Sequence, residues 1–167
     1  PGRFSIMSLQ HRKDSVRELR LKQQGITPPK DWNNVEQVRA VVKQQIGAAC
    51  SAAIYAGVEV GGARYSLTEH DQTELMAQNA AVAAGAAAVP YHADGELCRM
   101  YTAAEFSALA QAATAHVFYH RTYCNHVNAW IARAGLDELA AIEYGAELPA
   151  DLAASMAQIM QEAGGAV

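Results

Sequence analysis

The sequence predicts a predominantly helical α+β fold: a helical bundle around one long central helix, with two small β-hairpins at 58–67 and 89–101. Three observations predict it. Apolar residues make up 51% of the 167 positions, and alanine, the strongest helix former but a poor source of buried area, supplies much of that share. Apolar positions recur at helical spacing through most of the chain. Two short stretches switch instead to alternation around glycine-containing dipeptides, which is hairpin patterning.

The chain reads as two parts, a basic N-terminal appendage with a Pro-rich linker over 1–33 and a single helical α+β domain over 34–167. Segment 11–22 carries Arg12, Lys13, Arg17, Arg20 and Lys22 against Asp14 and Glu18, a surplus of three positive charges. Under an overall charge of −4, the rest of the chain then holds a deficit of seven. Val16, Leu19 and Leu21 give this segment only a thin apolar stripe, and "GITPPKDW" breaks it off. If helical, its cations are the candidate partner-binding residues Arg12, Lys13, Arg17 and Arg20, aimed at an acidic surface.

The domain opens at Asn34, an N-cap with Gln37 three positions on. Val35, Val38, Val42, Ile46, Ala49 and Ala53 form the helical stripe that follows, and Gly57 suits its stop. In "VEVGGARYSL", Gly61-Gly62 serves as a two-residue turn, pairing Val60 with Ala63, Glu59 with Arg64 and Val58 with Tyr65. Thr68 and Asp71 make a capping box for the next helix, which ends by Gly85. In "VPYHADGELCRMY" the same turn logic on Asp94-Gly95 pairs Tyr91 with Cys98 and Val89 with Met100. It places those four on the apolar face and His92 opposite. Thr102 and Glu105 then cap a long helix reaching Gly135. "LDELAAIEYG" gives a short helix. Pro149 opens the last one, striped by Leu152, Met156, Ile159, Met160 and Ala163.

Net charge and a pI near 5.8 argue against nucleic acid, which needs a basic face. No apolar run reaches the roughly 18 residues of a membrane span. Three widely spaced cysteines, Cys50, Cys98 and Cys124, are an odd number and read as reduced thiols rather than a disulfide framework.

Candidate chemistry gathers on the long helix. His116, His120 and Cys124 follow at intervals of four on one face and, with Cys98, could complete a two-His, two-Cys zinc site. The competing explanation makes Ala113, Val117, His120, Cys124, Val127 and Ile131 the core stripe, with cysteine acting as a small hydrophobe. Cys124 and His126 diverge by about 200° on a helix and cannot act as nucleophile and base. "HVFYH" lacks the glutamate of a helical metalloprotease motif. Neither a phosphate loop nor a dinucleotide fingerprint occurs. Polar residues near the middle are expected to shape turns and helix starts, so no catalytic residue and no cofactor is expected, and the chain is not expected to be an enzyme. Tyr119, Tyr123, Tyr144 and Trp130 are candidate interface anchors.

The stretches "YHADGELCR" and "YGAELPADLA", with "YCNHVNAWIARA" between them, resemble an uncharacterised domain family of small phage and prophage proteins of Firmicutes, found in tail and tail-fibre-associated polypeptides. The resemblance spans about residues 50–162. It implies a structural or assembly component of a virion tail or baseplate, acting through contacts with other tail proteins or with itself. Its implied setting is the tail, and the host bacterial cytoplasm during assembly. It implies no catalytic residues. The alternative is a small zinc-stabilised binding module using His116, His120, Cys124 and Cys98.

Overall fold

The computed structural model describes residues 2–164, with side chains from Lys13 onward. Six helices and four short strands follow in the order α1 (Gly2–Gln23), α2 (Val35–Tyr55), β1 (Val58–Val60), β2 (Ala63–Tyr65), α3 (Glu69–Ala83), β3 (Ala88–Tyr91), β4 (Arg99–Thr102), α4 (Ala103–Arg133), α5 (Leu136–Ala141) and α6 (Ala150–Gly164). The fold is α+β and mostly helical. Its long central helix, α4, runs for 31 residues, and the strands form two separate antiparallel pairs, β1-β2 and β3-β4. Two compact units divide the chain: one comprises Pro1–Ala48 with His126–Ala154, the other Ala49–Asn125 with Ser155–Val167.

In the first unit, α1 ends in a Schellman turn. Gly25 adopts φ +72°, its N–H donates to Lys22 O, and the Ile26 N–H donates to Leu21 O. Leu21 and Ile26 then bury together against Val41 of α2, with Trp32 packed on them; an apolar contact between these two positions is what such a turn favours. Asn34 caps α2 as expected, its Oδ1 accepting from the N–H groups of Glu36 and Gln37. Arg39 on α2 donates to the carbonyl oxygens of Ile131 and Ala134. It thereby satisfies orphan carbonyls at the end of α4, where a cation also suits the helix dipole. Arg133 grips Asp151 at the start of α6 through two bonds of 2.6 Å.

The second unit holds a core in which Tyr65, Leu67, Leu75, Val89, Tyr91, Tyr101, Phe106 and Leu109 are buried in one cluster. The first hairpin has the expected register residue for residue: Val58 opposite Tyr65, Glu59 opposite Arg64, Val60 opposite Ala63. Both capping boxes also form, Thr68 with Asp71 and Thr102 with Glu105. The second hairpin departs from expectation. Val89 faces Tyr101 and Pro90 faces Met100, one residue away from the Asp94-Gly95 turn register. A slip of one reverses which face each side chain takes. Tyr101 is therefore buried beside Val89 and Tyr91, whereas Met100 is 59% exposed and Cys98 is exposed.

The cause of the slip is tertiary. Asp94 is drawn to the first hairpin, donating its N–H to Arg64 O at 2.9 Å and accepting from Ser66 N and Ser66 Oγ at 2.9 and 2.6 Å. The Asp94-Gly95 turn itself forms, with Gly95 at φ +72° and the Glu96 N–H donating to Ala93 O at 3.1 Å, but it lies within a loop over 92–98 instead of joining the strands directly. His92 and Cys98 thus lie outside the strands.

Candidate functional site

Most polar side chains singled out in the sequence have structural partners. His116 Nε2 lies 2.9 Å from Ala53 O. Its ring meets that of His120 edge-on at 4.5 Å between centroids. Burial, followed by the neighbouring His116, lowers the His120 pKa below the ordinary histidine value. Cys124 is bonded to Cys50 in a disulfide whose Cα atoms stand 6.4 Å apart. This corrects the expectation of three reduced thiols. It also takes Cys124 out of the zinc set. Cys98 is free and exposed, and no group of three or more His, Cys, Asp or Glu among the described residues could hold a metal ion. Of the aromatic anchors, Tyr119 is 47% exposed while Tyr123 is buried. Trp130 Nε1 donates to Glu138.

A further group of polar side chains lies on α1. Lys13, Val16, Arg17 and Arg20 fall at helical spacing on one face, since residues three, four and seven apart share a side of a helix. That face forms one wall of a groove of about 760 Å³, whose other walls include Trp32, Val38, Leu136 and Asp137. Leu21, one turn beyond Arg17, is buried against Ile26 and Val41 and anchors the end of α1 beside this face. The Arg17 guanidinium stacks over the Trp32 ring at 4.8 Å, and Trp32 Nε1 donates to Glu18. The indole is thus held by a cation–π contact and a hydrogen bond, both from α1. Val16 stays 54% exposed and Leu19 58%. The arrangement is an apolar floor with cations along one edge and the Asp137 carboxylate at another. It can bind an anionic, partly apolar segment. It offers no nucleophile–base pair.

A family described as a domain of unknown function (DUF4376) matches residues 37–148. The chain belongs to that family. No curated protein and no solved structure matches the chain. The DUF4376 region supplies Val38 and the α5 wall of the groove, whereas the cationic wall and Trp32 precede it. Both cysteines of the disulfide and both capping boxes lie inside the DUF4376 region.

Three of the four partner-binding candidates, Lys13, Arg17 and Arg20, line the groove together; the Arg12 side chain lies outside the described residues. Sequence reasoning missed Trp32, whose position after "TPPKD" suggested only a linker. It also missed Leu136 and Asp137, more than 110 residues downstream of α1, for which no local signal existed. The Cys50–Cys124 bond, spanning 74 residues, was equally silent. No helix among the described residues is long and apolar enough to cross a membrane.

Proposed function

We propose that this DUF4376 protein is a structural or assembly component of a phage virion tail, working through protein–protein contacts and not as an enzyme. The observation that carries the docking part is the placement of Lys13, Arg17 and Arg20 on one face of α1 above an apolar floor. Of these, Lys13 and Arg20 take no salt bridge among the described residues, whereas Arg17 also stacks on Trp32. The tail setting rests on the resemblance of "YHADGELCR" and "YGAELPADLA" to tail-associated phage proteins. On this reading the partners are other tail proteins or further copies of the chain, with neither nucleic acid nor membrane among them. The protein resides in the virion tail, and in the host cytoplasm during assembly.

The test replaces Arg12, Lys13, Arg17 and Arg20 together with glutamine. Complex formation should weaken at least tenfold while the melting temperature falls only slightly, because exposed charges contribute little to stability and the Arg17 stack on Trp32 contributes only about 0.5–1 kcal/mol. Assembly at wild-type strength would reject the reading.

A further inference from the structure

We infer that the groove's occupant is a second copy of this chain, entering with its acidic loop at 142–149. This rests on the groove being a docking surface and goes on to name what docks. Between Ala134 and Asp151 the sequence holds five carboxylates and no cation. Three are placed: Glu138 accepts from Trp130, Asp151 is gripped by Arg133, and Asp137 stands on the groove wall. Glu143 and Glu147 remain. Both are exposed, and neither takes a salt bridge or a side-chain hydrogen bond among the described residues. They flank the turn at Gly145, where φ is +93° and the Ala146 N–H donates to Glu143 O at 3.0 Å.

The two unpaired sets correspond. Lys13 and Arg20 are seven helical residues apart, about 10 Å along the axis at roughly 1.5 Å per residue. Glu143 and Glu147 are four residues apart on a loop whose extended reach is at most about 14 Å, so one loop can present a carboxylate to each cation. Val16, between those cations and more than half exposed, would be covered by the turn. Within one copy the loop does not line the groove, so the pairing needs a neighbour. A contact between unlike patches either closes as a reciprocal pair or repeats from copy to copy as a ring or filament. An acidic segment of a different protein would use the same cations but leave Glu143 and Glu147 without effect.

Light scattering on the full chain after size exclusion, at about 0.05 M and about 0.5 M salt, reads this directly because exposed ion pairs are screened at high salt. The wild type should exceed monomer mass at low salt and fall toward it at high salt. The variants Lys13→Glu/Arg20→Glu and Glu143→Lys/Glu147→Lys should each be monomeric with unchanged circular dichroism, and mixing them should restore association. The milder Glu143→Gln/Glu147→Gln pair should weaken it in the same direction. A wild type that is monomeric throughout, or an oligomer indifferent to the changes at 143 and 147, would overturn the inference. In either event, tryptophan fluorescence during titration with polyglutamate separates the two ideas. A response lost in Lys13→Glu/Arg20→Glu keeps the groove as a docking surface and rejects only the second copy as occupant; no response rejects both.

Discussion

Asp94 and Ser66, 28 residues apart, are joined by two hydrogen bonds: Ser66 Oγ and Ser66 N donate to the two carboxylate oxygens of Asp94 at 2.6 and 2.9 Å. One side chain thereby fastens the loop of the second hairpin to the strand end of the first. Burial raises the Asp94 pKa, but the bonds from Ser66, with Arg64 and His92 nearby, outweigh it and leave the pKa below its ordinary 3.8. Asp94 therefore favours the fold when ionised. Its contribution is complete above pH 3.8, where the unfolded chain's carboxylate titrates, and is lost as pH falls through the lower folded value. Asp94→Asn should lower stability by about 1–2 kcal/mol in urea unfolding at neutral pH. The deficit should shrink in acid. An unchanged urea midpoint would show that the clamp contributes nothing.

That clamp also explains what the sequence could and could not disclose. The first hairpin was legible to the residue because Gly61-Gly62 and the alternation on either side agree with each other. The capping boxes were legible because their partners lie three residues apart. In the second hairpin the Asp94-Gly95 signal was real as a turn signal, but Asp94 found its partners in Ser66 and Arg64, and local sequence contains no trace of that competition. On α2 the apolar stripe was legible only in outline: Val38, Val42 and Ile46 are buried as expected, but Cys50 and Ile54 are buried in place of Ala49 and Ala53. Half of the groove was legible as a basic helix face. The other half depends on packing between distant segments.

Tyr65 and Tyr101 share a buried hydroxyl–hydroxyl bond of 2.9 Å, with Tyr91 packed against both rings. Tyr65→Phe strands the Tyr101 hydroxyl and should cost about 1–2 kcal/mol. Tyr65→Phe/Tyr101→Phe removes both polar groups and should cost less than the sum of the single changes. Strict additivity in the double-mutant cycle would contradict a direct bond.

Burial raises Tyr65 and Tyr91 to about 12 from an ordinary 10.0. Since the folded state holds these protons more tightly, stability is full below pH 10 and declines as pH rises toward 12. Absorbance near 295 nm should show Tyr65 and Tyr91 ionising last among the tyrosines, together with loss of structure. Seven tyrosines titrating together near pH 10, in protein that stays folded, would contradict the buried cluster.

Gly57 has φ +76°, and a Cβ there would overlap the Tyr65 carbonyl oxygen. Gly85 has φ +100° but open space around it. Gly85→Ala should therefore cost about 1–2 kcal/mol from backbone strain alone. Gly57→Ala should cost more than about 3 kcal/mol, because a backbone clash is added. Equal melting temperatures for the two variants would count against the close approach.

The Cys50–Cys124 bond encloses most of the second unit, and chain entropy across a separation of 74 residues gives a contribution of about 4 kcal/mol. Unfolded, unreduced protein should show one reactive thiol, Cys98, and three after reduction. Reduction should lower the melting temperature markedly. Three thiols before reduction would exclude the bond.

The central claim is that the face of α1 bearing Lys13, Arg17 and Arg20, with Trp32 beside it, is where this protein meets its partner. Amide hydrogen exchange compared between the free and assembled protein tests it most directly. Added protection should fall on 13–21, around Trp32 and over 136–140. Protection confined to 92–100 or to the His116–Cys124 stretch, with α1 unchanged, would contradict it.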